Sequence, residues 1–198
     1  MKRQEKKGVS SGEIIVGLVI LVIAVWGVYS VLQPTSQTTT TAITTATSSS
    51  GAPDFTLPVV GPNGLTGKTV SLSSFRGKVV LLEFMVPWCP HCQNMAPVLR
   101  ALYQQYGPQN IVFLSVSGAW AQTPGGPQAS PSDAAQFMRV YGLTWTFVYD
   151  SSNSVFNEYG VNSTPTFFII DKNGAVATTF QGEIPESTLA AELNRLNA

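Results

Sequence analysis

A nearly continuous apolar run, Val79-Val80-Leu81-Leu82-Glu83-Phe84-Met85-Val86, is interrupted by one acid and leads through Pro87 into Trp88-Cys89-Pro90-His91-Cys92. Such a run reads as a strand covered on both faces, the mark of a parallel sheet flanked by helices. After it, Met95, Val98, Leu99, Leu102 and Tyr106 repeat at helical spacing, with Pro90 at the first helical position, where proline is tolerated. The two cysteines, the only ones in 198 residues, therefore fall at a strand-to-helix junction. There the unpaired N–H groups and the positive end of the helix favour thiolate over thiol. The second sulfur, one turn in, can displace whatever the first has captured.

The rest of the chain alternates strands and helices. Residues 55–60, a Gly61-Pro62-Asn63-Gly64 turn and Thr69-Val70-Ser71-Leu72 read as a short hairpin, and Ser73-Ser74-Phe75-Arg76-Gly77 as a tight turn. Pro97 is expected to kink the helix after the cysteines, and Gly107-Pro108 to end it. Residues 111–116 read as a second central strand, and a Gly- and Pro-rich loop over 117–130 carries Trp120 towards a helix over 131–141 that Gly142 stops. A short strand at 146–149 and a short helix at 155–159 follow. Thr166-Phe167-Phe168-Ile169-Ile170 reads as a third strong strand, Lys172-Asn173-Gly174 as a hairpin turn, 175–180 as the antiparallel partner, and 185–196 as a closing helix. This order predicts a three-layer α/β sandwich on a central mixed sheet.

Ahead of that domain, Ile14 to Leu32 is nineteen residues without a charge, enough at about 1.5 Å per residue to cross a hydrocarbon core of roughly 30 Å. It reads as one transmembrane helix; a cleaved secretory signal is the alternative, but the run exceeds the usual apolar segment and no small-x-small cleavage site follows. Lys2, Arg3, Lys6 and Lys7 precede it and no charge follows until Asp54, which leaves the N-terminus in the cytoplasm and the rest outside. Lys6-Lys7-Gly8 ahead of Glu13 also resembles a type IV prepilin-like signal, which would be processed after Gly8. Residues 33–51 are Thr/Ser-rich and read as a solvated linker. The expected organisation is thus a cytoplasmic start (1–13), a membrane helix (14–32), the linker (33–51) and one folded domain (52–198), single-pass in the cell membrane with its cysteines in an extracytoplasmic space where disulfide chemistry is at home. Eleven bases balance eleven acids, and no basic patch points to nucleic acid.

With Trp-Cys-x-x-Cys after a buried strand, Glu83 six residues before Cys89, and Thr164-Pro165 opening a later strand, the chain resembles the thioredoxin superfamily. The entry Ala52-Pro53-Asp54-Phe55-Thr56-Leu57, with Val70-Ser71-Leu72 and Phe75-Arg76-Gly77-Lys78, is similar to the membrane-anchored TlpA/ResA-like thiol-disulfide oxidoreductases. The resemblance implies thiol-disulfide exchange on protein substrates, fed by a membrane or extracytoplasmic redox partner, with no cofactor or metal beyond the dithiol. Carried over, Cys89 is the nucleophile and Cys92 the resolving cysteine. Thr164-Pro165 is the cis-proline element, whose backbone pairs with substrate as an added strand. Glu83 matches the family's buried acid; a carboxyl in an apolar strand should have a raised pKa and take a proton from Cys92.

Pro90 and His91, between the cysteines, occupy the positions where the family tunes redox potential; Cys-Pro-His-Cys resembles the string of the oxidase DsbA. The dipeptide points to a disulfide donor, whereas many TlpA/ResA-like relatives reduce disulfides, so oxidase and reductase both stand. Trp88 is expected beside the active site. Trp120 is expected at the same sheet edge, as a substrate wall or as a satellite core residue. The sequon Asn162-Ser163-Thr164 abuts the proline element and is expected to be unused.

Two other functions share this scaffold. Peroxiredoxin-type peroxidases carry a Pro-x-x-x-Thr/Ser-x-x-Cys pattern, and Leu82 and Val86 stand at those places here. Thioredoxin-like copper metallochaperones use a longer cysteine spacing and a distant histidine; His91 is the only histidine, too few donors for a closed tetrahedral site. A purely structural disulfide would close too short a loop to add much stability.

Overall fold

The computed structural model describes residues 51–109, 111–121 and 124–198. The expected cytoplasmic start, the processing signal, the membrane helix and nearly all of the linker lie outside the described residues. Among the described residues no helix is long and apolar enough to cross a membrane.

The domain is built on one seven-stranded mixed sheet. In chain order it comprises β1 (Thr56–Gly61), β2 (Gly64–Ser71), β3 (Val80–Met85), α1 (Pro90–Tyr106), β4 (Val112–Gly118), α2 (Pro131–Tyr141), β5 (Thr146–Asp150), α3 (Ser154–Glu158), β6 (Thr166–Ile170), β7 (Val176–Gln181) and α4 (Glu186–Asn197). Across the sheet the strands run β2-β1-β5-β4-β3-β6-β7. The central strands β3, β4 and β5 are parallel, and the flanking pairs are antiparallel. Every residue of β3 is buried, as a strand covered on both faces must be.

Alternation along the strands sorts the side chains into two cores. Leu81, Met85 and Phe113 join Met95, Leu99 and Leu102 of α1, Ala134 and Phe137 of α2, and Leu189 and Leu193 of α4. On the other face Val80, Leu82, Phe84 and Val116 join Val155 and Phe156 of α3 and Phe55, Leu57 and Leu72 of the domain entry. The three expected layers are therefore present, with three helices on one side of the sheet and one short helix on the other.

Local signals set most of the boundaries. Helix α2 opens with a capping box between Ser130 and Asp133 and ends at Gly142, whose φ of 65° is the left-handed stop that glycine supplies. Helix α3 is held by Asp150, whose carboxylate accepts the N–H groups of Val155 and Phe156 at 2.8 and 3.2 Å. Some boundaries differ from expectation. The β1–β2 turn is shorter than expected and β2 begins at Gly64, while Leu72 leaves the strand for a 3-10 helix, Leu72–Phe75, in place of the tight turn. Asp54 Oδ1 accepts the Ser73 N–H at 2.8 Å and so holds that turn. Strand β4 runs on to Gly118, because its parallel register with β3 and β5 continues past the apolar stretch. Helix α1 continues through Pro97 without a break.

Candidate active site

Cys89 is the N-cap of α1, with Pro90 at the start of the helix. Strand β3 ends at Met85, so the chain crosses from sheet to helix in four residues, and the Cys89 N–H is tied back to the Val86 carbonyl at 3.1 Å. Both cysteines are free thiols, and they are not equivalent. Cys89 is 6% exposed and Cys92 is completely buried. The Cys92 thiol, then the Thr164 side chain and the N–H groups of Cys92 and His91, stabilise the charged form of Cys89 and pull its pKa down to about 5 against the opposing effect of burial. In its thiol form Cys89 Sγ donates to the Thr164 carbonyl at 3.3 Å. Burial, together with its bond to Cys89 and the charge of Glu83, drives the Cys92 thiol strongly up.

Glu83 lies under this pair, 2% exposed, on the sheet face shared with Leu81 and Met85. Burial raises its carboxyl to about 7, a rise that Ser115 opposes and the charge of Cys89 reinforces. Its register partner on β4 is Ser115, whose hydroxyl donates to Glu83 Oε2 at 2.6 Å. The Trp145 indole N–H in turn donates to Ser115 Oγ at 2.9 Å.

The rim of the site is polar. His91 Nδ1 is 2.6 Å from Glu183 Oε1, and Asn94 Nδ2 donates to the same oxygen at 2.9 Å. The loop that carries Glu183 is pinned on both sides: the Gly182 N–H reaches the Pro165 carbonyl at 2.8 Å, and the Ile184 N–H reaches Met95 Sδ at 3.4 Å. Glu183 raises the pKa of His91, and Asn94 and His91 lower that of Glu183. The Thr164–Pro165 peptide bond is cis. The structure thus brings Cys89, Cys92, Glu83, Pro90, His91, Thr164 and Pro165 into one place.

The two tryptophans meet through the backbone. Trp88 Nε1 donates to the Trp120 carbonyl at 3.1 Å, while the Trp120 ring packs 5.0 Å from Phe156. Trp120 therefore contributes its carbonyl to the site's support and its ring to the core. Beside Trp88 a groove of about 460 Å³ runs past Pro87, Gln93, Ala129, Phe137 and Tyr141. Sequence reasoning missed Ser115, Trp145, Asn94 and Glu183. A serine inside an otherwise apolar strand was a signal for Ser115; the others carry none, since their partners are remote in sequence.

Residues 49–179 match the family model described as the AhpC/TSA family. The chain belongs to that family. Within it, the chain is 33% identical over 147 residues to the thiol-disulfide oxidoreductase ResA of Geobacillus thermodenitrificans, covering 74% of this chain and 76% of the relative. It is 34% identical over the same length to ResA of Geobacillus kaustophilus, again covering 74% and 76%. Among solved structures, a protein described as a thiol:disulfide interchange protein DsbE from Chlorobium tepidum superposes with a TM-score of 0.62 at 27% identity, covering 75% of this chain and 96% of that one. This member of the AhpC/TSA family is an enzyme, a thiol-disulfide oxidoreductase, with the ResA-like resemblance and thioredoxin-like fold that its motifs implied. The peroxidase alternative is not favoured: Leu82 and Val86, where that pattern needs a proline and a threonine or serine, are buried aliphatics.

Proposed function

We propose that the chain exchanges disulfides with protein substrates through Cys89 and Cys92, in an extracytoplasmic space next to the membrane in which residues 14–32 anchor it. The observation that carries this reading is the asymmetry of the two sulfurs. One is an N-cap thiol with a pKa near 5; the other is a buried thiol with a raised pKa, electrostatically coupled to a carboxyl near 7.

The steps follow from that asymmetry. The Cys89 thiolate attacks one sulfur of a substrate disulfide, a mixed disulfide forms, and the other substrate sulfur leaves and takes a proton from water. Cys92 then gives its proton to Glu83 as its sulfur attacks Cys89 Sγ. The bond to the substrate breaks, the substrate departs as a second thiolate that takes its proton from water, and the Cys89–Cys92 disulfide retains the oxidation. Two electrons have passed to the substrate. Run backwards, the same steps oxidise a substrate dithiol, with Cys92 leaving and taking its proton from Glu83. The Thr164–Pro165 backbone offers a strand-like pairing edge for the substrate, which suits protein clients of varied sequence.

The test is capture. The Cys92→Ser chain, mixed with an extracytoplasmic protein extract, is expected to hold clients in mixed disulfides at Cys89 that a reductant releases. Absence of any Cys89-dependent adduct would remove the proposal. Equilibration of the native chain against glutathione assigns direction: a potential near roughly −120 mV marks a disulfide donor and one near roughly −270 mV a reductase.

A further inference from the structure

A buried carboxyl that must cycle its proton needs more than burial, because burial alone favours the protonated form. No lysine or arginine among the described residues pairs with Glu83. Its one hydrogen-bond partner among the described residues is Ser115, and that bond has a fixed sense. A serine hydroxyl has one hydrogen and two lone pairs. The Trp145 indole N–H is a donor only, so at 2.9 Å it occupies a lone pair of Ser115 Oγ and leaves the hydroxyl hydrogen for Glu83 Oε2 at 2.6 Å. The chain of bonds runs indole to hydroxyl to carboxylate, and every member is buried.

We propose that Ser115 and Trp145 are positioning residues that aim the Glu83 carboxylate and set the pH range in which it accepts the Cys92 proton. The proposal rests on the exchange reading above, in which Glu83 is the base for the resolving step. The groups around Glu83 leave this role to the pair. From the start of α1 come the thiols of its N-cap Cys89 and of Cys92, the two titratable groups that interact electrostatically with it; from β6 comes Phe167 in register, and α4 packs Leu189 and Leu193 into the core on the same side of the sheet. None of these donates a strong hydrogen bond to the carboxylate, so removing the hydroxyl leaves burial unopposed except by solvent rearrangement.

The same strand supplies an internal control. Ser117 lies two residues along β4, on the same face, and is fully buried, yet its Oγ bonds to no protein group among the described residues. Ser115→Ala and Ser117→Ala therefore make the same change at similar depth, and only the first removes a donor to Glu83.

The experiment is stopped-flow resolution of a preformed mixed disulfide in the full-length chain from pH 5 to 10. The native rate is expected to rise with pH through a midpoint near neutrality. Ser115→Ala should move that midpoint up by about one pH unit, and Trp145→Phe, which keeps an aromatic ring, in the same direction by less. Ser115→Thr, which keeps the hydroxyl, should restore the native midpoint, and Ser117→Ala should leave it in place. An unmoved midpoint in Ser115→Ala, an equal shift in Ser117→Ala, or failure of Ser115→Thr to restore would overturn the proposal. Should Ser115→Ala fail to fold, Trp145→Phe against Ser117→Ala decides the same question. Failure of the underlying reading looks different: Glu83→Gln would then retain the native pH profile, or the native chain would resolve no mixed disulfide at all.

Discussion

The rim and the floor of this site treat charge in opposite ways. At the rim, at a helix start, the Cys92 thiol, the Thr164 side chain and backbone N–H groups favour the Cys89 thiolate, and the contacts of Glu183 with His91 and Asn94 favour the ionised histidine and carboxylate. On the floor, Cys92, Glu83, Ser115 and Trp145 lie between sheet and helix, where burial pushes both titratable groups towards their neutral forms. The two sulfurs stand one helical turn apart in sequence and are both buried, yet their neighbours shift them in opposite directions. In the exchange proposed above, that difference is what assigns the attacking role to Cys89 and the resolving role to Cys92.

The comparison breaks most visibly at the sulfurs. Cys92→Ser should accumulate mixed disulfide at Cys89 and lose turnover by on the order of 10³-fold, whereas Cys89→Ser should accumulate none; trapping at Cys92 instead would reverse the assignment. One step smaller, Glu83→Gln should slow resolution by about 10²-fold with capture largely intact, as single-turnover kinetics would report. Equal rates in the variant would make the floor a passive wall.

Stability sharpens the contrast. In the folded chain Glu83 titrates near 7 against an ordinary 4.5, so the folded state holds this proton more tightly than the unfolded state. The stabilisation from that group is full below about 4.5 and is lost as pH rises through about 7. Glu83→Gln removes the loss and is expected to be more stable than native by roughly 2–3 kcal/mol at pH 8, and equal at pH 4, in urea unfolding. No difference at pH 8 would mean that the ionised floor is better solvated than its burial implies.

The rim makes weaker predictions. A thiolate stabilised at Cys89 favours the dithiol form, so the potential should lie above the roughly −270 mV of thioredoxin; a value at or below it would show that another interaction stabilises the disulfide. Smallest of all, Glu183→Gln should return the His91 titration towards its ordinary value, followed by NMR of the imidazole. Its effect on Cys89 should be a few tenths of a pH unit, since the contact is exposed and screened. A shift of a full unit at Cys89 would make Glu183 part of the active centre.

Much of this was legible in the residues. The apolar run of β3, the helical spacing after Pro90 and the Gly142 stop are local signals, and the corresponding elements formed where they pointed. Cys89, Cys92 and Glu83 lie within ten residues of one another on a strand, a turn and a helix start, so their proximity follows from secondary structure alone. The 3-10 helix at Leu72–Phe75 and the extension of β4 to Gly118 were less legible, because a contact from Asp54 and the register of neighbouring strands decide them. Trp120 divided between two readings because a tryptophan's backbone and ring can serve different neighbours, and here they do.

What the sequence determined by itself is the pair of sulfurs, their place at a helix start and the acid beneath them, since each depends on periodicity and spacing over a few residues. The company they keep was settled by folding. Ser115 reaches Glu83 from 32 positions away, Trp145 reaches Ser115 from 30, and Glu183 reaches His91 from 92. Hydrogen bonds act over about 3 Å in space and carry no trace along the chain, so they are settled only when the sheet has its strand order and the helices have their face.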